Sequence, residues 1–126
     1  LMHLMQNYPI RKEVFFYEDI EFVKKNIQKL KLKNTSVYKS YFPENLEVKI
    51  KKIKLCHIDV NTYADTKIIF NFVNKKIQKG GIIIFDDFGI WGVDGIKKFI
   101  YQIEKNHNTN YHFIKNYMGQ CILIRK

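Results

Sequence analysis

Hydrophobic positions recur along this chain with two distinct periods. Between residues 18 and 31, Ile20, Val23, Ile27 and Leu30 fall at three- and four-residue steps, with acids leading and lysines trailing. That spacing predicts an amphipathic helix whose dipole is complemented at both ends. Thr62 is placed to cap a second helix, in which Ile69, Val73 and Ile77 stack beside Ile68 and Phe72 until Gly80-Gly81 stops it. A third helix is predicted over residues 93–106, where Ile96, Phe99, Ile100 and Ile103 share a face and Asp94 sits in the first turn. Between the helices, residues 35–39, 53–60 and 82–85 read as strands. The last of these carries three consecutive isoleucines without polar alternation, the mark of a strand buried on both faces of a parallel sheet. Residues 111–117 and 121–125, joined by Met118-Gly119-Gln120, predict an antiparallel hairpin.

The order helix, strand, strand, helix, strand, helix, strand, strand predicts an α/β fold: a parallel sheet covered by helices and finished by a C-terminal antiparallel hairpin. At 126 residues the chain suits one domain, with no internal repeat or linker. The net charge of +10 would ordinarily suggest nucleic acid or an anionic membrane as partner. Of the 22 basic residues, however, only Arg11 and Arg125 are arginine, and the lysines are scattered over helix faces where solvation is expected. No recognised nucleic-acid motif appears. The abundance of lysine, isoleucine and asparagine fits AT-rich codon usage, so much of the charge is compositional. Cys56 and Cys121 lie in apolar runs without zinc or CxxC spacing, and read as buried reduced thiols suited to a cytoplasmic protein. No run approaches the roughly 18 apolar residues of a membrane span.

Open α/β sheets place their ligand sites at the carboxyl ends of strands. Asp59 closes one predicted strand and Asp86-Asp87 the next. If those strands are neighbours, three carboxylates meet at one sheet edge and call for a positive charge among them. Hard oxygen donors in that number suit Mg²⁺ or a similar divalent ion. On spacing alone, an equal alternative is that Asp59 caps a turn and Asp86-Asp87 are solvated loop acids. The run Gly89-x-x-Gly92-x-x-Gly95 fits neither nucleotide-binding glycine pattern and reads as a substrate loop or plain turn.

The stretch His57-Ile-Asp-Val-Asn-Thr-Tyr-Ala-Asp-Thr-Lys67, followed by Gly80-Gly-Ile-Ile-Ile-Phe-Asp-Asp-Phe-Gly89, resembles the macrocin O-methyltransferase family. The run Tyr38-Lys-Ser-Tyr-Phe-Pro-Glu-Asn-Leu46 is similar to the segment after that family's third strand. The resemblance implies a Rossmann-like methyltransferase sheet, S-adenosylmethionine over the strand ends, and a divalent metal held by Asp59, Asp86 and Asp87. Such a metal would lower the pKa of a hydroxyl on a sugar-like small molecule so that its oxygen attacks the sulfonium methyl. Ser40 and Tyr41, with Asp59, are the implied cofactor neighbours. Where the family has Asp-x-Asp, with the second acid as general base, this chain has Asp59-Val-Asn61. An amide cannot take that proton at neutral pH, so His57 or solvent is left to do so, or activity is weak; as an isolated histidine, His57 reads first as a structural strand residue.

The family's glycine-rich cofactor loop has no counterpart here, since all six glycines lie at or after position 80. The chain also opens on Leu1, and it is therefore expected to be the C-terminal portion of the fold, with the N-terminal half missing. A truncated, non-catalytic relic or interaction module is the alternative expectation. In the family's strand order 3-2-1-4-5-7-6, residues 53–60 would pair with a first strand this chain lacks. Their open edge is expected to recruit a second copy, or residues 35–39 of the same chain.

Overall fold

The computed structural model describes residues 20–46, 48–90, 92–116 and 118–126, which divide into two compact units, residues 20–48 and 49–126. Glu18 and Tyr117, named in a predicted helix and strand, lie outside the described residues.

In the first unit, the predicted amphipathic helix forms as α1 (Ile20–Lys29), with Glu21 in its first turn and Lys29 in its last. Its ending is built on a lysine. Lys31 adopts φ 54°, its N–H donates to the Gln28 carbonyl at 3.0 Å, and the Leu32 N–H donates to the Ile27 carbonyl at 3.1 Å. These paired bonds are a Schellman ending, a position where glycine is the usual occupant. Residues 35–39 form no strand, contrary to the sequence expectation. A strand needs a neighbour to take its backbone groups, and the sheet of the described residues draws none of its strands from this segment.

The second unit runs β1 (Ile53–Ile58), α2 (Tyr63–Asn74), β2 (Ile77–Phe85), α3 (Asp94–His107), β3 (Tyr111–Lys115) and β4 (Cys121–Arg125). The sheet order is β1-β2-β4-β3. β1 and β2 are parallel, while β4 pairs antiparallel with both β2 and β3. This is the expected mixture of a parallel βαβ unit and a C-terminal hairpin.

The predicted extent of α2 needs correction. The helix ends at Asn74, and Ile77 opens β2 opposite Ile53, the Ile53 N–H bonding to the Lys76 carbonyl at 3.0 Å. Ile77 sits one helical turn beyond Val73, so the helix pattern and the strand compete for it. Pairing with Ile53 buries Ile77 and satisfies the backbone of both strands, which a further half-turn of helix would not. Gly80-Gly81 then lies inside the strand. The ladder steps from Ile53 opposite Ile77 to Leu55 opposite Ile82, and the surplus residues bulge out. Gly80 takes φ 69°, and a Cβ on Gly81 would stand 2.7 Å from the Gln78 carbonyl oxygen.

α2 starts where Thr62 predicts. The Thr62 Oγ1 accepts from the Asp65 N–H at 3.1 Å, and Thr66, fully buried, donates its hydroxyl to the Thr62 carbonyl at 2.6 Å. Ile69, Phe70 and Val73 of α2, with Ile96, Phe99, Ile100 and Ile103 of α3, are buried, as are Cys56, Ile58, Ile83, Phe85, Tyr111, Cys121 and Leu123 of the sheet. Ring contacts of Phe70 and Phe99 with Phe85 put both helices on one sheet face. β2 was expected to be buried on both faces, but it alternates: Ile83 and Phe85 are buried, Ile82 and Ile84 only partly. Among the described residues of the second unit, no helix covers that other face, where Leu55 is 51% exposed.

Both cysteines are buried and free. Burial pushes the Cys56 thiol up to about 11 and that of Cys121 to about 12. Because the folded values are raised, the protonated thiols favour the folded state below their ordinary range, and that contribution is lost as pH climbs towards 11–12. Iodoacetamide at pH 8 should leave both thiols unmodified in the native protein and alkylate both in urea, as mass spectrometry would read. Rapid labelling of the native protein at either position would contradict the packing. No helix among the described residues is long and apolar enough to cross a membrane.

Candidate functional site

Ile58 stands opposite Phe85 at the carboxyl ends of parallel β1 and β2, so Asp59 and Asp86 leave the sheet side by side. The Asp86 N–H still bonds back to the Ile58 carbonyl at 3.0 Å, which carries the ladder one residue past the strand. Asp87 then turns with φ 58°, and its N–H donates to Asp86 Oδ1 at 3.1 Å. The left-handed conformation is one that Asp and Asn tolerate better than most residues, because a short polar side chain can bond locally. Burial raises the pKa of Asp87, and the charges of Asp59 and Asp86 raise it further. The three acids named from the sequence thus share one electrostatic neighbourhood.

Asp86 is held from two sides. His57 Nε2 lies 3.2 Å from Asp86 Oδ2. That separation suits an ion pair, but the groups are not aligned for a hydrogen bond, and Nε2 is buried without such a partner. On the other side, Gln120 Nε2 reaches Asp86 Oδ1 at 3.5 Å. Gln120 comes from the turn between β3 and β4, which Asn116 fixes: Asn116 Oδ1 accepts the N–H groups of Met118 at 3.0 Å and Gln120 at 2.9 Å, and its Nδ2 donates to Gln120 Oε1 at 3.2 Å. The Gly89 N–H meets the Gly119 carbonyl at 3.4 Å, tying that turn to the loop after Asp87. Phe88, Gly89, Ile90, Asn116, Met118 and Gly119 line an open cavity of about 410 Å³ there.

Among the described residues, no three His, Cys, Asp or Glu side chains converge as a ready-made metal-binding group. The donor chemistry of Asp59, Asp86 and Asp87 suits a hard cation, and the Asp87 carboxyl is pushed up first by burial and then by the charges of Asp59 and Asp86. Their arrangement is not that of a preformed cage, since Asp86 is turned towards His57 and Gln120. Asn61 is exposed in the link between β1 and the Thr62 cap. Ser40 and Tyr41 belong to the first unit, where Ser40 is partly buried, Tyr41 is 73% exposed, and the Tyr41 carbonyl accepts the Asn45 N–H at 3.0 Å.

Gln120 and Asn116 were not singled out by sequence reasoning. Their only signal is the shortness of the turn, which says that it is tight without saying which carboxylate it touches.

The Asp87 shift has a testable sign. A raised carboxyl pKa favours the folded state while the group is protonated, and this contribution is lost as pH rises through the folded value. Asp87→Asn removes the charge and retains a side chain suited to φ > 0. It should therefore stabilise the fold at pH 7 but not at pH 3, by no more than about 1 kcal/mol because the group is partly solvent-exposed and its burial and repulsion are both screened, as thermal unfolding at the two pH values would read. A lowered midpoint at pH 7 would show that the charge stabilises the edge.

A comparison with curated proteins finds no match. Among solved structures, the chain is similar to the O-methyltransferase NovP, with a TM-score of 0.70 and 18% sequence identity over 85% of this chain and 45% of that one. The likeness is one of fold, and the chain spans less than half the length of NovP. The macrocin O-methyltransferase (TylF) family matches residues 11–126, nearly the whole sequence, and on that match this chain belongs to the macrocin O-methyltransferase family.

Proposed function

We propose that this chain supplies the acceptor side of an S-adenosylmethionine-dependent O-methyltransferase that acts on a hydroxyl of a sugar or similar small molecule. The observation that carries this reading is the placement of Asp59, Asp86 and Asp87 at adjoining ends of two parallel strands in a chain of this family. The order β1-β2-β4-β3 corresponds to the run 4-5-7-6 of the expected Rossmann-like sheet. In that correspondence the cofactor's glycine-rich loop belongs to a half of the fold outside this chain, in keeping with the 45% of NovP that it spans. β1 is then an edge strand, open to a first strand or to a second copy.

Asp59, Asp86 and Asp87 would hold a divalent cation, which when bound lowers the pKa of a coordinated hydroxyl. To join it, Asp86 has to exchange its contact with His57 for the ion. That exchange frees His57 Nε2, already without a hydrogen-bond partner, to accept a proton at the same strand edge. Asn61 cannot take that part, having no basic nitrogen.

Cation binding is the accessible test. Mg²⁺ should raise the thermal midpoint in proportion to binding, with about 2.7 kcal/mol at a hundredfold excess over Kd. The rise should be absent in Asp59→Asn. Equal midpoints with and without Mg²⁺ or Mn²⁺ in the unaltered protein would remove the cation from the mechanism.

A further inference from the structure

The cavity beside Asp86 has chemistry that the carboxylates do not use. Its lining side chains are Phe88, Ile90 and Met118, with Asn116 and two glycines completing the wall. Asn116 contributes little polarity, because its Oδ1 already accepts two backbone N–H groups and its Nδ2 donates to Gln120. Ile90 is 51% exposed and Met118 is 82% exposed, so two of the lining residues are large, apolar and open to solvent. The volume of about 410 Å³ falls within the roughly 300–1,000 Å³ of small-molecule pockets. The cavity also adjoins the acidic edge directly. Phe88 follows Asp87 in the chain, and Gln120, adjacent to Gly119, touches Asp86.

We infer that this cavity is a subsite for an apolar group, aromatic or alkyl, carried by the acceptor next to the hydroxyl at Asp59, Asp86 and Asp87, and that Ile90 and Met118 are its specificity-determining residues. The inference rests on the proposed function for the identity of that hydroxyl, but the subsite itself is defined by the cavity. Its two walls come from different elements, the loop after β2 and the turn between β3 and β4, joined by the Gly89–Gly119 hydrogen bond. Neither wall alone encloses an apolar group. Met is suited to such a wall because its unbranched thioether adapts to differently shaped ligands.

Two probes that share a polar part isolate the apolar term: 4-nitrophenyl β-glucoside and methyl β-glucoside, titrated into the protein by calorimetry without cofactor. The aryl compound should bind about tenfold tighter, because covering its ring removes apolar surface from water. Met118→Ser and Ile90→Ser should each reduce that preference several-fold, with the thermal midpoint unchanged. Both positions are exposed, so folding should tolerate either change. Equal affinity for the two glucosides, or an aryl preference that survives in both variants, would overturn the subsite. Binding needs neither metal nor methyl transfer. An aryl preference without Mg²⁺ binding would sink the proposed chemistry alone, and Mg²⁺ binding without an aryl preference would sink the subsite alone.

Discussion

Phe70→Ala should cost the second unit about 3–5 kcal/mol, the range for truncating a large aromatic in a close-packed core. Phe70 is 1% exposed. Its ring lies 6.1 Å from that of Phe85, 5.5 Å from Phe99, 5.8 Å from His107 and 6.2 Å from Tyr111, so one side chain joins α2, β2, α3 and β3. Tyr111 in turn donates its hydroxyl to Asn74 Oδ1 at 2.7 Å, one helical turn beyond Phe70. Removing the ring opens a cavity bounded by four elements that cannot all move inward together. With domains typically stable by about 5–15 kcal/mol, the loss leaves little in reserve. Urea unfolding followed by circular dichroism measures it, and a cost below about 1 kcal/mol would mean that the aromatic cluster is not the centre of the core.

Gly95→Ala is expected to destabilise by about 1–3 kcal/mol, in the range for overpacking. Helix propensity alone argues the reverse, since alanine in a helix is favoured over glycine by up to about 1 kcal/mol. The local geometry decides the sign. A Cβ at Gly95 would stand 2.7 Å from the Tyr63 backbone nitrogen and 3.4 Å from the Thr62 carbonyl carbon. Neither atom is the end of a flexible side chain. The start of α3 would have to back away from the start of α2, along the seam where the Tyr63 and Phe99 rings meet at 5.7 Å and the Tyr63 hydroxyl donates to Gln102. Denaturation of the variant beside Lys97→Ala, an exposed change on the same helix, separates packing from propensity. A stabilised Gly95→Ala would show that the helices meet less closely there.

Periodicity was a good guide wherever a segment had one plausible partner. The helix faces of α2 and α3, the Thr62 cap, the parallel β1–β2 pair and the hairpin all emerge from local spacing, because one apolar face and one tight turn admit a single arrangement. It misled where two elements could claim the same residue. Ile77 continues the α2 stripe and also opens β2, and only the position of Ile53 resolves the conflict. Residues 35–39 have strand-like composition, but composition cannot supply a neighbour. The placement of Asp59, Asp86 and Asp87 at adjoining strand ends was legible because strand ends are fixed by topology. The contacts of Asp86 with His57 and Gln120 were not, since they depend on side-chain directions and on a turn 34 residues away in sequence.

β4 lies between β2 and β3 in the sheet although it is the last of the four strands in the chain. During synthesis, β1, α2 and β2 can dock as soon as they emerge, while β3 has no strand to pair with until residues 121–125 arrive. A chain without residues 121–125 would therefore lose two strands from the sheet, and with them the turn that brings Gln120 to Asp86. The nascent chain would meanwhile present the unpaired edge of β2 and the apolar face meant for Tyr111 and Leu123, surfaces of the kind that chaperones and proteases recognise. The integrity of the acidic edge thus depends on the last of these four strands to emerge, one that carries none of its acids.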